Sequence, residues 1–169
     1  MKSKFRSVCF APVLAVLLPV FGGAASYAIA IMLYDETKHN ARVLYPSDLF
    51  VSQPQRGIMS VAVGIGACLC SLTVFVRYIQ LQSMTFCSRT NFISFTFGIA
   101  ASFGQTSISA FSWEESLAVH FFIACCFFGS ACMYLITQAY LTYRCGRFGN
   151  KQRKCSNMAT FRIACTVIA

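Results

Sequence analysis

The charges of this chain are sorted by segment. Cutting the sequence at its long apolar runs places all five acids, Asp35, Glu36, Asp48, Glu114 and Glu115, in alternate gaps, while Lys and Arg crowd the remaining gaps. A soluble fold has no use for such alternation. A chain threaded repeatedly through a bilayer does, because loops on the cytoplasmic side retain Lys and Arg. The pattern therefore sets class, span number and orientation together. It places the N-terminus in the cytosol behind Lys2, Lys4 and Arg6. It makes residues 35–57 and 112–116 luminal or extracellular, and residues 81–91 and 144–159 cytoplasmic.

Composition agrees. The chain is 57% hydrophobic and 11% charged, whereas about a quarter of an ordinary soluble domain is charged. A helix needs roughly 20 apolar residues to cross the hydrocarbon core. Four stretches meet that length, at about 8–34, 58–80, 92–111 and 117–143. A fifth, 160–169, is about half long enough. The expected fold is all-α: a polytopic transmembrane helical bundle with four full spans and part of a fifth, forming a single domain over 1–169. The short last run is expected to be a truncated span, the alternative being an amphipathic tail on the membrane surface. The first run is longer than the 7–15 residues typical of a signal-peptide core, so a retained span is expected rather than a cleaved leader.

The net charge of +9 does not point to nucleic acid, because its distribution follows the membrane flanks and no recognition motif accompanies it. Arg77 and Arg89 flank the turn between the second and third runs, and Arg144, Arg147, Lys151, Arg153, Lys154 and Arg162 follow the fourth. The partners expected of such flanks are anionic lipid head groups, together with proteins the sequence does not specify.

Of the ten cysteines, none falls in a predicted luminal loop, so no luminal disulfide framework is expected. Cys68 and Cys70 make a C-x-C pair inside the second run without a neighbouring His, so the expected role is apolar filler rather than metal ligand. Cys87 and Cys145 sit beside predicted membrane ends near basic residues and are candidates for S-palmitoylation.

Small residues mark helix contacts in lipid, where close backbone approach replaces the hydrophobic effect. Gly98 with Ser102, Ala100 with Gly104, Gly64 with Ala67, and the Gly129-Ser130-Ala131 run are such positions. Pro12 and Pro19 each remove a backbone donor from the first span and are expected to kink it.

No Asp, Glu or Lys lies deep in a predicted span, which argues against proton- or ion-coupled transport. The polar residues that remain are modest. Gln105, Glu115 and His120 fall at similar predicted depth and form a candidate cluster for a lipid head group or for sensing luminal pH. The alternative, which the residues favour, is hydrogen bonding between helices, at about 0.6 kcal/mol each on average. No nucleophile–base set, phosphate loop or paired-His motif is present. Neither an enzyme nor a cofactor or metal site is expected.

From residue 45 onward the chain resembles the damage-regulated autophagy modulator (DRAM) family. Tyr45, Ser47 and Asp48 followed by Pro54 resemble its luminal Y-x-S-D…P segment, and Arg77-Tyr78 its second-span ending. Asn91, Ser94, Gly98, Phe103, Gly104 and Phe111 fall at spacings of its third span. His120, Ala124, Phe128, Tyr134, Gln138 and Tyr143 resemble its fourth, and Arg162-Ile163 the start of its fifth. The wider superfamily includes the transmembrane-150 proteins, the FGF-receptor-activating protein and post-GPI-attachment lipid-remodelling proteins, whose N-terminal domain resembles that of Cwh43. One departure stands out: the luminal proline is commonly followed by an acid, where this chain has Gln55 and Arg56.

The resemblance implies a six-span fold. It implies a regulator of autophagy in lysosomal and other endomembranes that acts through partners or lipids. Two further roles follow from other branches, a plasma-membrane adaptor of phosphoinositide kinases and a GPI-lipid remodelling factor.

Overall fold

The computed structural model describes residues 11–33, 46–82 and 88–148; at positions 11, 88 and 145–148 only the backbone is described. Among the described residues the chain is helical throughout. α1 is Ala11–Met32, α2 Gln55–Gln82, α3 Ser88–Ala110 and α4 Leu117–Phe148, with one short 3-10 turn at Pro46–Phe50. The expected partial span at 160–169, the expected cytoplasmic segment 149–159, and Tyr45, Cys87, Arg162 and Ile163 lie outside the described residues. So does the side chain of Cys145.

Each of the four long apolar runs lies on a helix, and α2, α3 and α4 extend beyond their apolar stretches. α2 begins at Gln55 rather than Ile58, α3 at Ser88 rather than Phe92, and α4 continues to Phe148. The extra turns are polar, so hydropathy alone assigns them to the loops. Three helices are long and apolar enough to cross a membrane, over Pro12–Met32, Gln55–Gln82 and Leu117–Arg144. α3 is long enough at 23 residues but carries too many Ser, Thr, Asn and Gln residues to reach that hydropathy.

Burial explains α3. Its polar residues Asn91, Ser94, Ser102 and Ser109 are all buried, while Phe92, Ile93 and Phe103 are exposed, Phe103 to 71%. The buried positions are separated by three- and four-residue steps or sums of such steps, which marks one stripe of a helix. The same inversion runs through the molecule. Ser26, Ser112, His120, Gln138 and Thr142 are buried, whereas Phe21, Val61, Phe122 and Tyr143 stand exposed. Water would penalise such a surface. Lipid favours it, because bilayer helices gain nothing from hiding apolar side chains and associate through small and polar residues instead.

The chain divides into two compact units, one formed by residues 1–73 and 102–125, the other by 74–101 and 126–169. In the first, α1 and the start of α2 approach at small residues. A Cβ on Gly66 would meet Pro19 Cγ at 2.8 Å and the Ala15 carbonyl oxygen at 3.0 Å. Pro19 cannot donate to that carbonyl, its helical partner four residues back, and α1 nevertheless continues through it to Met32. A Cβ on Gly22 would collide with the Ala62 side chain, and the Ser26 hydroxyl donates to the Gln55 carbonyl at 3.2 Å. In the second unit Gly98 holds the corresponding place, since a Cβ there would fall 2.7 Å from Val74 Cγ1 and 2.9 Å from Tyr134 Cδ2. Two small-residue expectations are corrected. Gly64 and Gly129 face open space, so they are not contact points among the described residues. Gly22 and Gly66 carry the α1–α2 approach instead.

Candidate functional site

The first unit carries a cleft of about 270 Å³. Its polar end comes from two turns, with Ser47 and Asp48 on the 3-10 turn and Trp113 on the α3–α4 connection. Its other wall is one face of α4. Leu117, His120, Phe121 and Ala124 line it, at the i, i+3, i+4, i+7 spacing that puts residues on one stripe of a helix.

Four local devices hold this end in place. Leu49 and Phe50 are buried and anchor the 3-10 turn. The Trp113 indole donates to Asp48 Oδ1 at 3.0 Å, which ties the two turns together. Ser112 and Glu115 close the 112–116 turn before α4 reciprocally: the Ser112 amide donates to Glu115 Oε2 and the Glu115 amide donates to Ser112 Oγ, both at 3.3 Å. The exchange has the S-x-x-E pattern of a capping box, used here to fix a turn rather than the first turn of the helix. Finally, Arg56 donates through Nη1 to Glu115 Oε1 at 2.8 Å and through Nη2 to the Ala110 carbonyl at 3.2 Å. A cation at the last carbonyl of α3 also suits the negative end of that helix. Hydrogen bonding from Arg56, then from the Ser112 amide, holds the Glu115 carboxyl below the usual glutamate range.

His120 is 9% exposed, and its Nδ1 lies 2.8 Å from the Phe111 carbonyl. A carbonyl only accepts, so Nδ1 carries a proton and donates it to Phe111.

The proposed cluster of Gln105, Glu115 and His120 does not assemble. His120 is committed to Phe111, Glu115 to Arg56 and Ser112, and Gln105 bonds to neither. The turn geometry at 111–116 decides those partners, and depth along a helix could not reveal it. Arg56 stands out in the sequence only as a basic residue where an acid is common, with nothing to name Glu115 as its partner, and the Ser112-x-x-Glu115 box does not stand out at all. The S-x-x-E spacing before an apolar run was the available signal.

The residues that carried the resemblance fall into two groups. In the first unit, Ser47, Asp48 and His120 line the cleft. Phe111 supplies the carbonyl for His120, and the Pro54 carbonyl accepts the Ile58 amide in the first turn of α2. In the second unit a buried polar relay forms. Arg77 Nε donates to Gln138 Oε1 at 3.2 Å, and Gln138 Nε2 donates to Ser94 Oγ at 2.9 Å. Asn91 Nδ2 donates to the Tyr78 carbonyl at 2.9 Å, and the Tyr78 ring stacks on Phe95 with centroids 4.8 Å apart. Gly98 and Tyr134 make the close contact already described. Gly104 sits on α3 at intermediate burial, outside both groups.

A helical architecture with a polar interior, an apolar exterior and three membrane-length helices defines a membrane protein. Comparison with known proteins places it further. The model of the Frag1/DRAM/Sfk1/Cwh43P N-terminal domain matches residues 7–169, so the chain belongs to that family. It is 27% identical over 144 residues to DNA damage-regulated autophagy modulator protein 2 of Bos taurus, covering 82% of this chain and 53% of that one. It is 26% identical over 155 residues to DNA damage-regulated autophagy modulator protein 1 of Xenopus laevis, covering 89% and 64%. The chain thus spans between about half and two thirds of the length of these relatives. No solved structure matches it.

Proposed function

We propose that this protein is a non-catalytic, multi-pass regulator of autophagy or lysosomal function in endomembranes, acting through lipids or partner proteins. The observation that carries the reading is the family match over residues 7–169, which includes every residue of the cleft and of the polar relay. The two relatives bear the name autophagy modulator.

In this reading α3 crosses the membrane with α1, α2 and α4. Its buried polar stripe accounts for its low hydropathy, because those side chains never meet lipid. The loop charges put the N-terminus in the cytosol, and the cleft then opens at the luminal end of the helices. The relay between Arg77, Gln138 and Ser94 fixes the cytoplasmic half, and the cleft is the surface on which a ligand acts.

The test is an N-terminally tagged chain imaged in cells, with autophagic flux measured after depletion. Puncta overlapping a lysosomal marker, with altered flux, are expected. A plasma-membrane rim with unchanged flux overturns the proposal.

A further inference from the structure

Two polar side chains of the cleft have hydrogen-bonding capacity to spare. Asp48 and Trp113 bond to each other, and each makes a further interaction besides, so they shape the wall without deciding the ligand. Ser47 and His120 decide it. The Ser47 hydroxyl is half-buried and takes no partner among the described residues. His120 is nine-tenths buried, and with Nδ1 given to the Phe111 carbonyl its Nε2 takes no partner among the described residues. A ligand hydroxyl answers both, because a hydroxyl donates and accepts. It bonds to Ser47 in either sense, and it meets Nε2 with or without a proton there.

Charge narrows the choice. Among the described residues no Lys or Arg lines the cleft, while the Asp48 carboxylate does. A phosphate head group would face that anion with no cation to offset it. The head group is therefore neutral.

The other wall sets the body of the ligand. Leu117, Phe121 and Ala124 run for about 10 Å along one stripe of α4. Leu117 and Phe121 are 55% and 61% exposed, so the cleft opens onto the outer apolar side of that helix. Leu117 is also the first residue of the membrane-length segment Leu117–Arg144. The polar end then lies at the membrane surface, where a Trp is also at home, and the stripe runs into hydrocarbon. Diacylglycerol or ceramide would lay ester or amide groups along this stripe, where nothing pairs with them. A body that is rigid and wholly apolar avoids that penalty and loses little freedom on binding.

We infer that this cleft binds a membrane sterol. The sterol hydroxyl lies against Ser47 and His120 Nε2, the ring system runs along Leu117, Phe121 and Ala124, and the remainder extends into the bilayer. The inference deepens, and rests on, the reading of a membrane regulator that acts through lipids. It does not depend on the organelle in which the protein resides.

Trp113 is the single tryptophan of the chain, so energy transfer from it to a fluorescent sterol reports on the cleft. The full chain is reconstituted in phosphatidylcholine vesicles containing dehydroergosterol, which absorbs where tryptophan emits. The expected result is transfer that saturates with sterol mole fraction. Cholesterol is expected to reverse it at least about tenfold better than the matching ketone, which keeps an acceptor and loses the donor, a difference of about 1.4 kcal/mol. Ser47→Ala removes a hydroxyl that holds nothing else, and is expected to raise half-saturation about fivefold, the usual effect of one hydrogen bond. Ala124→Phe fills the apolar wall and is expected to abolish the saturable phase. Circular dichroism checks that both variants keep their helical content. Transfer that rises without saturating overturns the inference, as does an unchanged half-saturation in either folded variant. Equal competition by the ketone overturns the hydroxyl contact on which the inference stands. Diacylglycerol competing as well as cholesterol overturns the assignment to a sterol. Lysosomal puncta with altered flux but no saturable transfer would sink the cleft and leave the proposed function standing. Saturable transfer in a protein at the cell surface, with unchanged flux, would do the reverse.

Discussion

Trp113 donates its indole proton to Asp48 across 65 residues of sequence, at 3.0 Å, and so binds the turn before α2 to the turn before α4. Leu49 and Phe50 anchor the first turn, while the second has no buried apolar side chain of its own to hold it. A hydrogen bond to a charged acceptor contributes about 1.5–3 kcal/mol, which is enough to decide whether the 46–54 segment stays docked.

Trp113→Phe keeps the ring and removes the donor. Amide exchange over residues 46–54 is expected to rise at least tenfold, about 1.4 kcal/mol of lost local protection, while exchange within α4 is unchanged. Hydrogen-exchange mass spectrometry in detergent reads both.

The Arg56–Glu115 pair is exposed on its carboxylate side, but Arg56 and the Ser112 amide still hold the Glu115 carboxyl below its usual range. A depressed carboxyl contributes stability that is present above the unfolded-state value and lost as pH falls through the folded one. The pair is therefore expected to survive mild acidity, and to fail only below the ordinary glutamate range. Thermal unfolding of Glu115→Gln against the parent chain is expected to differ at neutral and mildly acid pH, with the difference closing under stronger acid.

Gly98 leaves no room for a methyl group between Val74 and Tyr134. Gly98→Ala is expected to destabilise the protein by about 1–3 kcal/mol, the usual effect of overpacking. Gly129→Ala meets open space and gains helix propensity, so it is expected to be neutral or slightly stabilising. Unfolding of the two variants side by side separates close packing from a general intolerance of larger side chains.

Gln138 bridges Arg77 and Ser94 while only 4% exposed. Gln138→Leu removes both bonds and leaves buried polar groups without that partner. It is expected to cost about 1–3 kcal/mol, well above the 0.6 kcal/mol average of one hydrogen bond between membrane helices. Gln138→Glu, which restores an acceptor and adds an opposite charge beside Arg77, is expected to recover most of the loss.

Hydropathy made α1 and the apolar centres of α2 and α4 legible, because an uninterrupted apolar run has one reading at that length. It could not place the start of α3. Residues 88–91 are polar, and they are helical because Asn91 is buried against the Tyr78 carbonyl, a partner 13 positions away. It also mistook which glycines matter. Gly98 was legible as a contact position, and Gly64 and Gly129 look like others, yet the remaining close approaches fall at Gly22 and Gly66, which only the relative rotation of the helices determines. At the cleft, Ser47, Asp48 and His120 stood out through resemblance. Trp113 did not, and Arg56 did so only as a departure, because each acts through a partner more than 50 positions distant. The grouping of Gln105 with Glu115 and His120 failed for the same reason, since depth along a helix carries no information about rotation or turn shape.

The proposed topology turns the cleft end of the helices to the lumen, and glycan mapping tests that directly. No Asn-x-Ser/Thr sequon occurs in the chain, so a single engineered acceptor reports its own side of the membrane. An acceptor placed within residues 36–44 is expected to be glycosylated, giving a glycosidase-sensitive mass shift, and one placed within residues 83–87 is expected to stay unmodified. Modification of the second site and not the first would invert the topology and contradict the account.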